Sequence, residues 1–274
     1  MMIKNIMSVD LEDYFCDLPF SKWEKYDSRV EQTTNLLLDI FEKYKIKATF
    51  FTLGYIADKF PNLIKHVHDK GHEIGTHSYS HIDLRKITKE EFKIDFLKSI
   101  ESIEKITGEK VLGFRAPFFS INRNNFWVFD TLRQYLKYDS SVFPVKTPLY
   151  GIPDAPREIY RPAINDITKN DDTQLFFEIP PITYNIMPSI TIPAGGGFHF
   201  RFLPYFITRS AILQHNKNNK PAMFYIHPKD LDPDMPRLPE YKWHYYYGKK
   251  NILKKFVRLL EEFKFTTARD VLSL

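Results

Sequence analysis

Two histidines at metal-ligand spacing stand out in the segment Gly71–His81, which reads GHEIGTHSYSH. His77 and His81 are separated by three residues, and on a helical turn an i, i+4 pair projects from one face of the backbone. Neutral imidazole is the commonest metal ligand in proteins, and two such rings usually need a carboxylate to complete a site. The spacing therefore predicts a shared metal ion.

Three carboxylates lie near the N-terminus, in the sequence Asp10-Leu11-Glu12-Asp13. They follow Ile6–Val9, a short apolar run suited to a buried strand. In α/β proteins, ligands bind at the carboxyl ends of the strands. A solvated acidic turn is the alternative interpretation of this segment. If the segment is functional, it is the first candidate source of the carboxylate that the histidines require.

Strand-like runs alternate with helical periodicity along most of the chain, which predicts a parallel sheet, closed or nearly closed. Thr88 and Glu91 form a capping box before the longest predicted helix. The predicted elements are the strands Ile6–Val9, Lys47–Gly54, Glu73–Gly75, Val111–Phe114, Tyr138–Val142 and Ala222–Ile226, and the helices Val30–Tyr44, Ile56–Lys70, Lys89–Ile106, Asn124–Leu136, Tyr205–Asn216 and Lys250–Phe263.

The segment 144–204 differs from the rest of the chain. It contains ten of the 18 prolines and no helical periodicity. Because proline is excluded from helix interiors and central strands, the segment should form loops and edge strands. We interpret it as an elaboration that shapes a cleft, with residues 205–274 completing the barrel of one domain that spans residues 1–274.

The amino-acid composition argues against several classes of protein. The net charge of +5 mildly favours anionic partners, but no Lys/Arg block or RNP-type motif indicates nucleic-acid binding. The single cysteine, Cys16, excludes an internal disulfide and a cysteine-rich zinc module. No signal-peptide core or membrane-spanning run is visible, so we expect a cytoplasmic protein without a transmembrane segment.

Five polar motifs fall at the ends of successive predicted strands: Asp10–Asp13, His77–His81, Arg115–Phe118, Tyr138–Ser141 and Ile226–Pro228. Together they resemble the NodB-like polysaccharide deacetylases (carbohydrate esterase family 4). HSYSH matches the H-S/T-x-x-H motif of that family, FRAPFF contains its Arg-x-Pro motif at Arg115, and FYIH resembles its late Leu-x-His motif at His227. Further stretches, such as SVDLEDYF, YDSSVFP and GGGFHFRFLP, resemble the branch associated with bacterial exopolysaccharide biosynthesis. The resemblance covers about the whole chain.

The resemblance implies a distorted (β/α) barrel of about seven strands and one catalytic divalent metal ion, usually zinc. His77 and His81 would be metal ligands, and Asp10 would be the general base that takes a proton from metal-bound water. His227 would be the general acid that protonates the leaving amine, and Arg115 would pair with Asp10.

The first acidic motif departs from the adjacent Asp-Asp pair of the family. The third metal ligand is therefore either Glu12, which shares a strand face with Asp10 at i+2, or Asp13, the more usual residue type. The spacing narrowly favours Glu12. The departure also leaves open a site that binds metal weakly or not at all.

These observations predict a hydrolase of non-peptide carbon–nitrogen bonds that removes N-acetyl groups from a bacterial surface or extracellular polysaccharide, or from its precursor. The expected partners are an N-acetylated saccharide and the polysaccharide assembly machinery. Two alternatives stay open: a hydrolase of small or cyclic amides built on the same barrel, and an inactive glycan-binding homologue.

Overall fold

A curled β-sheet forms the centre of the molecule. The computed structural model describes residues 3–187 and 190–274. Its strands are β1 (Lys4–Leu11), β2 (Thr49–Thr52), β3 (Glu73–Thr76), β4 (Gly113–Phe114), β5 (Tyr138–Asp139), β6 (Phe177–Glu178), β7 (Thr183–Met187), β8 (Ile190–Pro193), β9 (Met223–Ile226) and β10 (Lys264–Thr266). The main sheet has the order β10-β1-β2-β3-β4-β5-β6, with β9 also paired to β1, and its paired strands are parallel.

The segment that follows β6 closes the ring by pairing with β9. Pro181 forms a parallel bridge with Met223 of β9, and the Ile182 N–H donates to the Met223 carbonyl at 2.9 Å. Because β9 pairs in turn with β1, seven strands surround a filled interior. The predicted distorted (β/α) barrel of about seven strands is confirmed.

Helices connect the strands. They are α1 (Val30–Lys43), α2 (Gly54–Lys59), α3 (Pro61–Asp69), α4 (Lys89–Thr107), α5 (Val128–Tyr135), α6 (Gly197–Phe202), α7 (Tyr205–Lys217), α8 (Lys249–Glu262) and α9 (Ala268–Leu272). The capping box at Thr88 and Glu91 is present, whereas the predicted helix Ile56–Lys70 is divided because Pro61 starts a new helix. Within the described residues, no helix is long and apolar enough to cross a bilayer.

The side chains of strand β1 alternate between the outer and the inner face of the barrel. Val9 and Leu11 belong to the main hydrophobic cluster, which also holds helix residues such as Leu37. Ile6 belongs to a second cluster with Phe51 on β2, together with Tyr138, Ile179 and Met223. Since neighbouring strand residues point to opposite faces, Ser8 and Asp10 share the face of Ile6. Asp10 is consequently carried at the carboxyl end of the interior face.

The proline-rich segment contributes more structure than predicted. The strands β7 and β8 form an antiparallel pair outside the main sheet, as expected of edge strands. Strand β6, however, joins the barrel sheet, and α6 forms where no helix was predicted, so that prediction is wrong there. Tertiary contacts stabilise α6. Lys255 Nζ on α8 donates to the carbonyl oxygens of Phe200 and Leu203 at the carboxyl end of α6.

A buried carboxyl pair links β5 to β6. Asp139 and Glu178 are both fully buried, and Glu178 accepts a hydrogen bond from the Val142 N–H at 3.0 Å. Burial, reinforced by the neighbouring Asp139 charge, raises the pKa of Glu178 well above its usual value. The folded protein therefore binds a proton here that the unfolded chain releases at neutral pH, so this pair lowers stability as the pH rises above the ordinary pKa of glutamate.

We expect Glu178→Gln to remove this pH dependence, because the amide keeps the acceptor for Val142 and supplies a permanent donor toward Asp139. The free energy of unfolding, measured by urea titration, should exceed the wild-type value at pH 8 by an amount on the order of 1 kcal/mol and match it near pH 4. The exposed Glu101→Gln is the matched control. Parallel stability profiles for wild type and Glu178→Gln between pH 4 and 8 would contradict this interpretation.

Candidate metal centre and active site

The two histidines lie in the loop that follows β3. Their ring centroids are 5.2 Å apart, and both rings are buried. The expected helical turn is wrong: Ser78 and His81 have φ values of 66° and 52°, so the loop passes through left-handed conformations that no α-helix contains. The loop, rather than a helical repeat, brings the two imidazoles together.

Backbone carbonyls orient both imidazoles. Nδ1 of His77 lies 2.7 Å from the carbonyl oxygen of Arg115, and Nδ1 of His81 lies 2.9 Å from that of Cys16. A carbonyl oxygen only accepts, so each Nδ1 carries a proton, and the Nε2 atoms are the ones that can face a cation. Burial alone would lower the pKa of His81, but the neighbouring Glu12 charge outweighs it and raises that pKa. Burial is the main reason that the pKa of His77 falls to about 4, which keeps this ring neutral. Such second contacts are typical of metal-binding histidines.

Glu12 completes a three-residue group with these rings. One donor atom from each of Glu12, His77 and His81 lies within 4.8 Å of the other two. Oε2 of Glu12 is 2.8 Å from Nε2 of His81, yet it accepts no well-aligned hydrogen bond and is buried. Two lone pairs that face each other at this distance require a shared cation, either a proton or a metal ion. The donor set fits a divalent metal such as zinc.

The structure places Asp13 elsewhere. Its carboxylate accepts hydrogen bonds from the Ser28 hydroxyl and from the backbone N–H groups of Tyr14, Arg29 and Val30. These contacts cap the N-terminus of α1, where free N–H groups favour a carboxylate. Of the two alternatives for a third ligand, it is Glu12 whose carboxylate faces the histidines.

Asp10 lies beside this group and is paired with Arg115. Arg115 NH1 donates to Asp10 Oδ1 at 2.7 Å and to Ser8 Oγ at 3.0 Å, while NH2 donates to Ser140 Oγ at 2.8 Å. The guanidinium is fully buried and lies 4.3 Å above the ring of Phe51. Asp10 therefore keeps one oxygen on Arg115 and turns the other toward His227, whose Nε2 is 3.7 Å away.

His227 is oriented by two residues that the sequence interpretation missed. Its Nδ1 is 2.8 Å from Oδ2 of Asp230, and the other Asp230 oxygen is 2.9 Å from Nε of Arg201. Burial alone would lower the pKa of His227, but the Asp230 charge and hydrogen bond outweigh it and raise that pKa. The H-x-x-D spacing of His227 and Asp230 was a usable signal, whereas Arg201 lies in the GGGFHFRFLP stretch without any local pattern that predicts its contact with Asp230.

These side chains line one cavity of about 300 Å³ at the carboxyl ends of the strands. Aromatic side chains form much of its remaining wall: Phe118, Phe119, Tyr150, Phe198, Tyr225 and Tyr245. Gly197 lies close to the histidine, since a Cβ at this position would stand 3.3 Å from Cε1 of His227. An acid, a base, a candidate metal group and apolar walls thus converge on one cleft, as hydrolysis of a polar substrate requires.

Two family models match successive parts of the chain. Residues 23–133 match polysaccharide deacetylase, and residues 140–273 match a domain of unknown function, DUF3473. The first part contains His77, His81 and Arg115, while the second contains His227 and Asp230. Both matched segments therefore contribute to the same cleft.

A known deacetylase is similar in sequence to part of the chain. A peptidoglycan-N-acetylglucosamine deacetylase of Bacillus cereus is 37% identical over 91 residues, which is 33% of this chain and 33% of the relative. The chain thus spans about a third of the length of this relative.

Solved structures share the fold. A Mycobacterium smegmatis structure named as a polysaccharide deacetylase superposes with a TM-score of 0.63 at 16% identity, over 98% of this chain and 90% of that one. The PuuE allantoinase superposes with a TM-score of 0.62 at 14% identity, over 97% and 82%. Residues 23–133 therefore match the polysaccharide deacetylase family, and the barrel of the chain has the fold of the solved polysaccharide deacetylase.

Proposed function

We propose that this protein is a metal-dependent hydrolase that removes N-acetyl groups from a saccharide. The proposal rests on one observation: Glu12, His77 and His81 converge beside Asp10 and His227, whose Oδ2 and Nε2 atoms lie 3.7 Å apart. The match to polysaccharide deacetylases and the peptidoglycan deacetylase relative support an N-acetylated sugar as the substrate.

Glu12, His77 and His81 would hold the metal ion. A divalent cation there supplies a Lewis acid that lowers the pKa of water and polarises the acetyl carbonyl. Nε2 of each histidine and Oε2 of Glu12 are the atoms left available for it. Zinc suits this nitrogen and oxygen donor set.

Asp10 and His227 would transfer protons on either side of the scissile amide. Asp10, oriented by Arg115, accepts a proton from the attacking water. His227, which Asp230 keeps protonated to higher pH, donates a proton to the departing amine. Nitrogen leaves as a neutral amine only after protonation, so the raised pKa of His227 serves the step that breaks the carbon–nitrogen bond.

A sugar of a bacterial exopolysaccharide, or its lipid- or nucleotide-linked precursor, is the substrate we infer from the motif resemblance. A cytoplasmic location and contact with assembly machinery stay predictions of the sequence. A hydrolase of small or cyclic amides is the second candidate, favoured by the shared fold of the PuuE allantoinase. Faster hydrolysis of allantoin than of any N-acetylated oligosaccharide would select that candidate.

The first test is acetate release from a panel of N-acetylated oligosaccharides. We expect a chelator to abolish it and zinc to restore it, and His77→Ala to reduce it by at least about a hundredfold, because a ligand is lost. His66→Ala, an exposed histidine on α3, should keep wild-type activity. Acetate release that survives both the chelator and His77→Ala would refute metal-dependent deacetylation.

A second test separates the two neighbouring carboxylates. We expect Glu12→Gln to weaken zinc binding by about 10–100-fold or more, while Asp13→Asn leaves zinc affinity nearly unchanged. Asp13→Asn should instead lower the free energy of unfolding by about 0.5–2 kcal/mol, because the α1 cap is weakened. Zinc titration and urea unfolding of both variants provide the measurements. The reverse assignment, with zinc lost in Asp13→Asn, would contradict the site described here.

A third test concerns Asp230 as a positioning residue for His227. Because Asp230 raises the pKa of His227, Asp230→Asn should shift the alkaline limb of the kcat/KM profile to lower pH. We also expect kcat to fall by about 10–100-fold, part of the typical contribution of a general acid. The exposed Asp234→Asn is the matched control. An unshifted alkaline limb in Asp230→Asn would mean that Asp230 does not act through His227.

A further inference from the structure

A lysine ammonium reaches the acidic side of the candidate metal centre. Lys229 Nζ lies 2.7 Å from Oε1 of Glu12 and 3.0 Å from Oδ2 of Asp17, and its side chain is only 11% exposed. Its backbone is part of the short 3-10 turn Pro228–Leu231, and Lys249 Nζ donates to the Lys229 carbonyl oxygen. Lys229 is therefore held both at its backbone and at its ammonium group.

The two carboxylate oxygens of Glu12 have different partners. Oε1 is bound to Lys229, whereas Oε2 faces Nε2 of His81 at 2.8 Å. A carboxylate whose far oxygen is tied to an ammonium offers one oxygen to a cation, and part of its charge is already neutralised. The donor strength of Glu12 therefore depends on Lys229.

The charges around the cleft lead to the same conclusion. Four carboxylates surround it, and three cationic side chains are paired with them: Asp10 with Arg115, Asp230 with Arg201, and both Glu12 and Asp17 with Lys229. The four carboxylates and three cations alone carry a net charge of −1. A divalent cation would bring the group to +1, while the same group without the ammonium would be neutral when loaded.

We propose that Lys229 tunes the metal centre by lowering its affinity for divalent cations. The ammonium repels the bound ion and neutralises part of the Glu12 charge, and Asp17 holds the ammonium in this position. The inference rests on the metal-dependent function proposed above. It assigns to Lys229 a positioning and charge-balancing role rather than a place among the ligands.

The test is the zinc affinity of the full chain, measured by competition with a chromogenic chelator. We expect Lys229→Met, which keeps the length of the side chain without its charge, to bind zinc at least about tenfold more tightly than wild type. Asp17→Asn should have the opposite effect and weaken zinc binding about three- to tenfold, because it removes a negative charge and keeps the ammonium. Lys93→Met, an exposed lysine on α4, should leave the affinity unchanged.

Effects of opposite sign distinguish tuning from a merely structural role, since loss of a structural contact would weaken binding in both variants. Equal or weaker zinc binding by Lys229→Met overturns the inference while leaving the metal centre in place. If Lys229→Met does not fold, an unchanged or tighter affinity of Asp17→Asn overturns it instead. Zinc binding that is insensitive to His81→Ala in the wild-type background overturns the proposed metal centre itself, which separates the two failures.

Discussion

The buried ion pair between Arg115 and Asp10 is the interaction on which the rest of the site depends. A guanidinium without solvent contact loses several kcal/mol of hydration, so it is tolerated only when acceptors surround it. Those acceptors come from β1 and from the residue after β5, strands that are separated by three others in the sheet order. The Arg115 carbonyl also accepts from His77, so one residue positions both the base and a candidate ligand.

This arrangement explains why the two matched segments form one cleft. The segment 23–133 carries the candidate ligand histidines and Arg115, but it holds no residue in the place of His227. The segment 140–273 carries His227, together with the Asp230 and Arg201 that orient it. Asp10 on β1 and Glu12 just after it precede both segments, and β1 pairs with strands from each. A functional cleft therefore requires the closed ring rather than either segment alone.

Local patterns in the sequence predicted the parallel sheet, while the motif resemblance implied the seven-stranded barrel and the roles of Arg115 and His227. Apolar strand runs, the capping box at Thr88 and the polar residues that follow strands are all visible within a few residues. The helix α6 and the ion pairs of Arg201 and Lys229 were not predictable, because they depend on contacts between residues far apart in the chain. The histidine loop was predicted as a helical turn because spacing alone does not reveal left-handed residues such as Ser78.

The unusual acidic motif becomes coherent once each carboxylate is assigned its own contact. Asp10 contacts Arg115 from the interior face of β1, Glu12 faces the histidines from just beyond the end of that strand, and Asp13 turns away to cap α1. The longer glutamate reaches the histidines with one oxygen while Lys229 binds the other. The departure from adjacent aspartates is thus compatible with a metal centre, but one whose strength is set jointly by a ligand and by the cation beside it.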